Sequence, residues 1–431
     1  MLYAQPRPGQ EISTGKLDWL TVGLYTACVF AGWFNIFAAV YDPELHQSIF
    51  DFSINSGKQL FWIGSSLILI LLIMIVDFKF FEAFAYIFYG LIAVALIGVI
   101  FLARDVHGAK AWFEIGSVRI QPSEFAKFIT ALTLAKYLGD NEIKFDETRT
   151  QLVCGAIIGI PALLILKQND TGSALVFGAF ILVLYREGLT PWVLILPIIA
   201  AVIVILSLII EHVYLHIAVW VIIGLVILNL RWKSPRNILM SIGGGAFVSA
   251  MIELVGFFMF NVLQAHQRDR IMVLLKPETV DQKKIGWQVL QSKIAIGSGG
   301  FWGKGFLNGT QTKFDFVPAQ STDFIFATIG EEHGWIGGLI VFILIIGLLC
   351  RIVSLAERQR DRFSRVYGYS VACILFVHFA VNLGMAIGLL PVIGIPLPFF
   401  SYGGSSLWSF TILLWIFLKL DSHRIEVLSR L

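Results

Sequence analysis

Charge is what this sequence has least of. Only 14% of its 431 residues are Asp, Glu, Lys or Arg, while 57% are hydrophobic; a soluble globular chain runs near a quarter charged. Most of this chain therefore has lipid as its solvent, and a soluble enzyme is excluded. The net charge of +3 is too small to suggest a nucleic-acid partner. Cysteine is scarce too. Cys28, Cys154, Cys350 and Cys373 lie in or at the ends of apolar runs, with neither disulfide-framework nor metal-ligand spacing, and read as small packing residues. The sequence has no low-complexity tract and no internal repeat, which counts against a transporter built from inverted halves. It also has no histidine cluster, no nucleophile elbow and no ordered metal-ligand motif. A divalent ion would have to be held jointly with a substrate's phosphates.

Long apolar runs are what it has instead. A helix needs about 20 apolar residues to cross the ~30 Å hydrocarbon layer. Closed barrels need alternation, which these continuous runs lack. The pattern predicts an all-α, polytopic membrane helical bundle of about twelve transmembrane helices. They fall near 18–41, 59–77, 80–103, 121–138, 151–167, 171–186, 190–210, 214–230, 237–263, 324–350, 367–390 and 399–420. The first run is too long for a signal-peptide core and is expected to remain as the first span.

Short loops rich in Lys and Arg stay in the cytoplasm. A cytoplasmic N-terminus puts Arg231, Lys233 and Arg236 inside, together with Arg351, Arg358, Arg360, Arg362, Arg365, Lys419, Arg424 and Arg430. Both termini are then cytoplasmic, and the one large loop, 264–323, is extracytoplasmic. The chain reads as a single membrane domain over 1–431. That loop mixes charge, aromatics and glycine, as in HQRDRIMVLLKPET and GWQVLQSKIAIGSGGFWGKGFLNGTQ. Its stretch 285–296 is amphipathic enough to lie on the membrane surface. Long loops are uncommon unless they carry function, so the chemistry is expected here.

A carboxylate at mid-bilayer costs roughly 2.5–3.5 kcal/mol even on the lenient scale, so such groups are candidates for function. In Gln121-Pro122-Ser123-Glu124-Phe125-Ala126-Lys127, Pro122 and Ser123 suit a helix start and Glu124 complements its dipole. Lys127, three residues on, shares a face with Glu124; a stabilising pair and an active-site role are both open. Asp170, in the polar break Gln168-Asn169-Asp170-Thr171-Gly172-Ser173, reads as a turn residue or as part of a cavity wall. Glu253, alone in its apolar run, suggests a structural or inter-helix role.

Asp323 sits where the large loop returns to the membrane. Partial burial raises a carboxyl's pKa and suits a general base; a helix N-cap is the alternative. The glycines of 297–300, with Gly303, Gly305, Lys293 and Lys304, have the look of a phosphate cradle without Walker spacing, or of a flexible loop. Arg268 and Arg270 could grip a diphosphate by forked hydrogen bonds or anchor the loop at the membrane surface.

The segment from Asn382 to Ser406, NLGMAIGLLPVIGIPLPFFSYGGSS, resembles the signature of the SEDS proteins (shape, elongation, division and sporulation). QPSEFAK at 121–127 is similar to that family's QPSE motif, and QNDTGSA at 168–174 to its QPDLGTA turn. The stretch 291–311 and GLLPVIGIPLPFFSYGG resemble the elongation branch, RodA, more than the division branch, FtsW. The resemblance implies a peptidoglycan glycosyltransferase of the bacterial cytoplasmic membrane. Such an enzyme joins lipid II into glycan strands at the outer face and releases undecaprenyl diphosphate. Its expected partners are a class B penicillin-binding transpeptidase and other elongation proteins, and a divalent cation, Mg or Mn, is its expected cofactor.

The family's essential carboxylate lies in PExHTDFIF, which falls here on Pro318 to Phe326. By resemblance, Asp323 is therefore the catalytic residue, deprotonating the acceptor hydroxyl or holding a metal at the diphosphate. Thr322, Ser401, Gly403 and Gly404 join Glu124, Lys127, Asp170, Arg268, Arg270 and Lys304 as expected substrate-binding residues. The chain departs from the family at Ala319 and Ser321, where Glu and His are usual, and at Asn169, where Pro is usual. The family generally has ten spans, so an extra helix pair is expected within 190–263. A lipid-linked precursor flippase and a scaffold that only recruits a transpeptidase are the competing readings. A flippase would need polar residues through to the inner side, where most spans are apolar, and a scaffold needs no buried acid.

Overall fold

Capping residues set many of the helix limits. In the computed structural model, Asp18, Asp77, Asp170, Ser234 and Asp361 each accept a hydrogen bond from a first-turn backbone N–H, as short polar side chains do at N-caps. Pro122 and Pro235 open their helices at positions that need no donor. The structure describes residues 17–424 apart from 43, 45–46, 104–109, 117, 141–142, 230–233, 264, 277–285 and 315. Arg231, Lys233 and Arg430 lie outside the described residues.

The helices run α1 (Trp19–Val40), α2 (Asn55–Ile75), α3 (Phe78–Leu102), α4 (Pro122–Gly139), α5 (Thr148–Lys167), α6 (Thr171–Val176), α7 (Ala179–Arg186), α8 (Trp192–Ile209), α9 (His212–Asn229) and α10 (Pro235–Phe257). They continue with α11 (Ala265–Leu275), α12 (Trp287–Ser298), α13 (Thr310–Lys313), α14 (Ile325–Glu357), α15 (Arg362–Ala386) and α16 (Gly404–Ser422). A hairpin of β1 (Phe113–Ile115) and β2 (Val118–Ile120), with Phe113 opposite Ile120, leads into α4. Among the described residues nine helices are long and apolar enough to cross a membrane: α1, α2, α3, α5, α8, α9, α10, α14 and α15. The other three predicted spans fall on α4, on α6 with α7, and on α16.

Several boundaries differ from the sequence reading. The run 171–186 is two short helices. The last predicted span starts at Gly404 because 387–403 is irregular chain with turns. α14 runs seven residues past the predicted end at 350, and α15 begins at Arg362, where Asp361 caps it. The large loop contains α11, α12 and α13. The amphipathic stretch of that loop is not simply a surface helix: on α12, Ser292 and Ala295 are fully buried and the Ser292 hydroxyl donates to the Ala386 carbonyl at 2.7 Å.

The chain divides into two units. One comprises Met1–Leu189, Gln291–Ile387 and Ile393–Leu431, the other Thr190–Leu290 with Gly388–Val392. The first has the large core, centred on α4, α15 and α16. Arginines join the ends of its helices. Arg351 pairs with Asp18 (Nε–Oδ2 3.1 Å), Arg358 with Asp421 (Nε–Oδ1 2.9 Å), Arg186 with Glu357, and Arg362 and Arg365 both with Glu187. These partners explain why α14 outlasts the apolar run. In the second unit α9 buries no side chain. Glu253 of α10 makes the expected inter-helix contact, accepting from His216 Nε2 of α9 at 2.8 Å.

Candidate functional site

The Asp323 carboxylate is carried on a tight turn preceding α14. Ala319 holds a left-handed φ of 54°, and its carbonyl accepts from the Thr322 and Phe324 amides at 3.1 and 3.2 Å. Gln320 ties this turn to the end of α1 through the Ala39 carbonyl (2.7 Å), and Asn55 at the start of α2 donates to the Ser321 hydroxyl (3.1 Å). Ser321, where the resembled motif has His, thus has a structural job. Phe324 is the N-cap position of α14 and makes no side-chain cap bond; Asp323 stands one residue before it.

Three successive carbonyls of the turn are gripped by the C-terminal motif. The Tyr402 amide donates to Ser321 O at 2.8 Å, the Ser401 hydroxyl to Thr322 O at 2.6 Å, and the Asn382 side-chain amide to Asp323 O at 2.8 Å. Asn382 also donates to Ile395 O at 2.7 Å, and Ser401 Oγ accepts from the Leu397 amide at 2.8 Å. The Asp323 side chain is half-buried beside Gly394, where a Cβ would stand 3.5 Å from Oδ2. Backbone held this firmly fixes where its carboxylate starts from. Tyr402 is half-buried as well, and burial pushes its phenol above the usual range.

Behind this turn lies a buried charge network. Lys127 Nζ is 2.7 Å from Glu124 Oε1 and 2.8 Å from His378 Nε2, with all three residues at most 3% exposed. The ion pair proposed from the spacing is thus formed, and Ser409 Oγ fastens the Glu124 carbonyl at 2.6 Å. Lys127 lies over the Phe410 ring, 5.3 Å from its centroid. The QPSE-like and QNDTGS segments meet alongside. Asp170 caps α6 through the Ser173 amide and accepts from Gln121 Nε2 at 2.8 Å and Ser123 Oγ at 3.2 Å. Gly172 lies so close to Ile393 O that a Cβ would be 2.3 Å away. Gln121 N donates to Ser405 Oγ. Residues 121–127, 168–174, 382–387 and 393–406 are thus brought together with Asp323 in one unit.

The remaining predicted residues have other contacts. Gly403 N donates to Gln59 Oε1, and Gly404 leaves room for the Trp62 ring, 2.4 Å from where a Cβ would be. Lys304 pairs with Glu331 at 2.7 Å, and Glu331 also accepts from the Thr310, Gln311 and Thr312 amides. The Lys304 and Gly305 amides donate to the Glu331 and Glu332 carbonyls, where α14 is broken at Gly334 (φ 62°). The glycine loop thus clasps α14 through the Lys304 and Gly305 amides. Arg268 and Arg270 lie on α11 in the other unit, Arg268 with its Nε 3.7 Å from Asp269. Among the described residues no group of three or more His, Cys, Asp or Glu is placed to hold a metal ion. The sequence reading missed His378, Glu331 and Glu332. A lone histidine in an apolar run and two acids inside a predicted span carry no spacing signal that would have singled them out.

The chain is similar to known proteins over most of its length. The family model for the cell cycle proteins FtsW, RodA and SpoVE matches residues 18–221 and 215–426. The peptidoglycan glycosyltransferase MrdB of Escherichia coli (strain K12) is 32% identical over 369 residues, 85% of each chain. The peptidoglycan glycosyltransferase RodA of Treponema pallidum (strain Nichols) is 32% identical, covering 85% of this chain and 90% of its own. A solved chain described under "structural coordination of polymerization and crosslinking by a peptidoglycan synthase complex" is 28% identical, with a TM-score of 0.68 over 95% of this chain and 98% of its own. The rod shape determining protein RodA of Thermus thermophilus is 25% identical, with a TM-score of 0.60 over 97% and 99%.

Proposed function

Because the chain belongs to the FtsW, RodA and SpoVE family of cell cycle proteins, we propose that it is a peptidoglycan glycosyltransferase polymerising lipid II during cell elongation. It is a multi-pass membrane protein. With its arginine-paired helix ends in the cytoplasm, Asp323 at the opposite end of α14 works at the outer face of the cytoplasmic membrane. The observation that supports this reading best is the grip of Tyr402, Ser401 and Asn382 on the three carbonyls of the Asp323 turn.

In the proposed reaction the acceptor sugar's hydroxyl oxygen attacks the anomeric carbon of the donor. The Asp323 carboxylate takes the hydroxyl proton as the new C–O bond forms. The bond from the anomeric carbon to the diphosphate breaks, and undecaprenyl diphosphate leaves with the electron pair. Thr322, next to Asp323 on the turn, and Ser401, Gly403 and Gly404 beneath it shape the place where the sugars lie. Glu124, Lys127 and Asp170 support the same wall from behind.

A single carboxylate such as Asp323 suits a Mg or Mn ion that keeps its waters and shares the substrate's phosphates. Held there, the ion would neutralise charge on the leaving diphosphate. A class B penicillin-binding transpeptidase is the proposed partner, since one structural relative was solved as part of a peptidoglycan synthase complex.

The purified chain in lipid vesicles with lipid II, Mg or Mn and its cognate transpeptidase is expected to make glycan strands, visible on a gel. Movement of lipid II across the vesicle membrane without strand formation would instead support a flippase and overturn the reading.

A further inference from the structure

His378 is buried and used by nothing in the proposed reaction. Its two ring nitrogens have different partners: Nε2 lies 2.8 Å from Lys127 Nζ, and Nδ1 lies 3.2 Å from the Pro396 carbonyl oxygen. A carbonyl can only accept and an ammonium can only donate. The proton therefore sits on Nδ1, and Nε2 accepts from Lys127. A second ring proton would set a cation against Lys127, which is already paired with Glu124.

One helical turn on, at i+4 and on the same face, Asn382 holds Ile395 O and Asp323 O together. His378 and Asn382 thus fasten consecutive carbonyls of one segment. The next residue, Leu397, donates to Ser401 Oγ, which in turn holds Thr322 O. Residues 395–397 are the common support for two of the three grips on the Asp323 turn. The imidazole is itself located by an edge-to-face contact with Phe410, 4.8 Å between centroids.

We propose that His378 is a positioning residue: as a neutral Nδ1–H imidazole it links the buried Glu124–Lys127 pair to Pro396 and so keeps the Asp323 turn in register. The proposal rests on the reading of Asp323 as the reacting carboxylate. Glutamine carries one acceptor and one donor at its end and reproduces both bonds; leucine fills the space and makes neither.

The test compares the full chain with His378→Gln and His378→Leu, reading kcat and KM for lipid II, the pH profile of kcat, and hydrogen exchange at residues 318–324. His378→Leu is expected to lower kcat on the order of 100-fold, the scale of a small misplacement, with KM unchanged and protection lost at the Thr322 and Phe324 amides. His378→Gln should restore the rate and the protection and leave the pH profile as in the parent. Parental kcat and intact protection in His378→Leu would overturn the proposal, as would a His378→Gln protein with lost protection or an altered pH profile. If His378→Leu does not fold, His378→Gln alone decides. Should the parent chain make no strands, the functional reading fails separately, and exchange at 318–324 still judges the positioning role.

Discussion

Ser321, Thr322 and Asp323 each present a backbone carbonyl to a donor from the distant C-terminal motif, and the two side-chain grips, from Ser401 and Asn382, can be removed singly. Asn382 is fully buried and its amide serves two carbonyls. Asn382→Ala leaves both without that donor and is expected to cost about 1–3 kcal/mol, seen as a lowered unfolding temperature, with kcat falling more than KM changes. Asp323 was legible as the candidate because the motif at 318–326 resembles a known one; its position alone favoured an N-cap. The role of Ser321 was not legible, since its partner Asn55 is remote in sequence. His378 was invisible for the same reason: both of its partners come from elsewhere in the chain.

Among elements, long apolar runs were read correctly as helices, and the errors cluster where polar contacts overrule hydropathy. α14 continues past its apolar run because Arg351 and Arg358 find Asp18 and Asp421. It is also broken near its start, at Gly334, where a Cβ would come within 2.4 Å of the Gly303 amide nitrogen. Beside that break Glu331 collects three consecutive amides at the start of α13 and the Lys304 ammonium. Glu331→Gln removes the charge from these bonds and is expected to cost about 1–3 kcal/mol, with faster hydrogen exchange over 304–313. Gly32 lets α1 press on the C-terminal motif: a Cβ there would lie 2.5 Å from Phe399 O and 2.6 Å from Phe400 Cα. These are backbone atoms that cannot swing aside, so Gly32→Ala is expected to destabilise the chain by about 1–3 kcal/mol and to slow polymerisation through the motif it displaces.

For the molecule as a whole, the arginine-paired helix ends and the Asp323 turn occupy opposite ends of α14, which is the arrangement an outward-facing enzyme requires. The hydrogen bonds from Arg351 hold the Asp18 carboxyl well below the usual carboxylate range. A depressed pKa means that the pair's contribution is present above the unfolded value of about 3.9 and is lost as pH falls below it. Asp18→Asn should therefore lower the unfolding temperature at neutral pH, and the gap should narrow as the medium is taken below about pH 4.

The most direct measurement is the rate of glycan-strand formation from lipid II by Asp323→Asn, set beside the parent in the same vesicles with the same transpeptidase. Asparagine keeps the shape and the backbone grips but cannot take a proton or supply a charged oxygen. The account predicts a folded protein that forms no strands above background; strand formation by Asp323→Asn at the parental rate would contradict it.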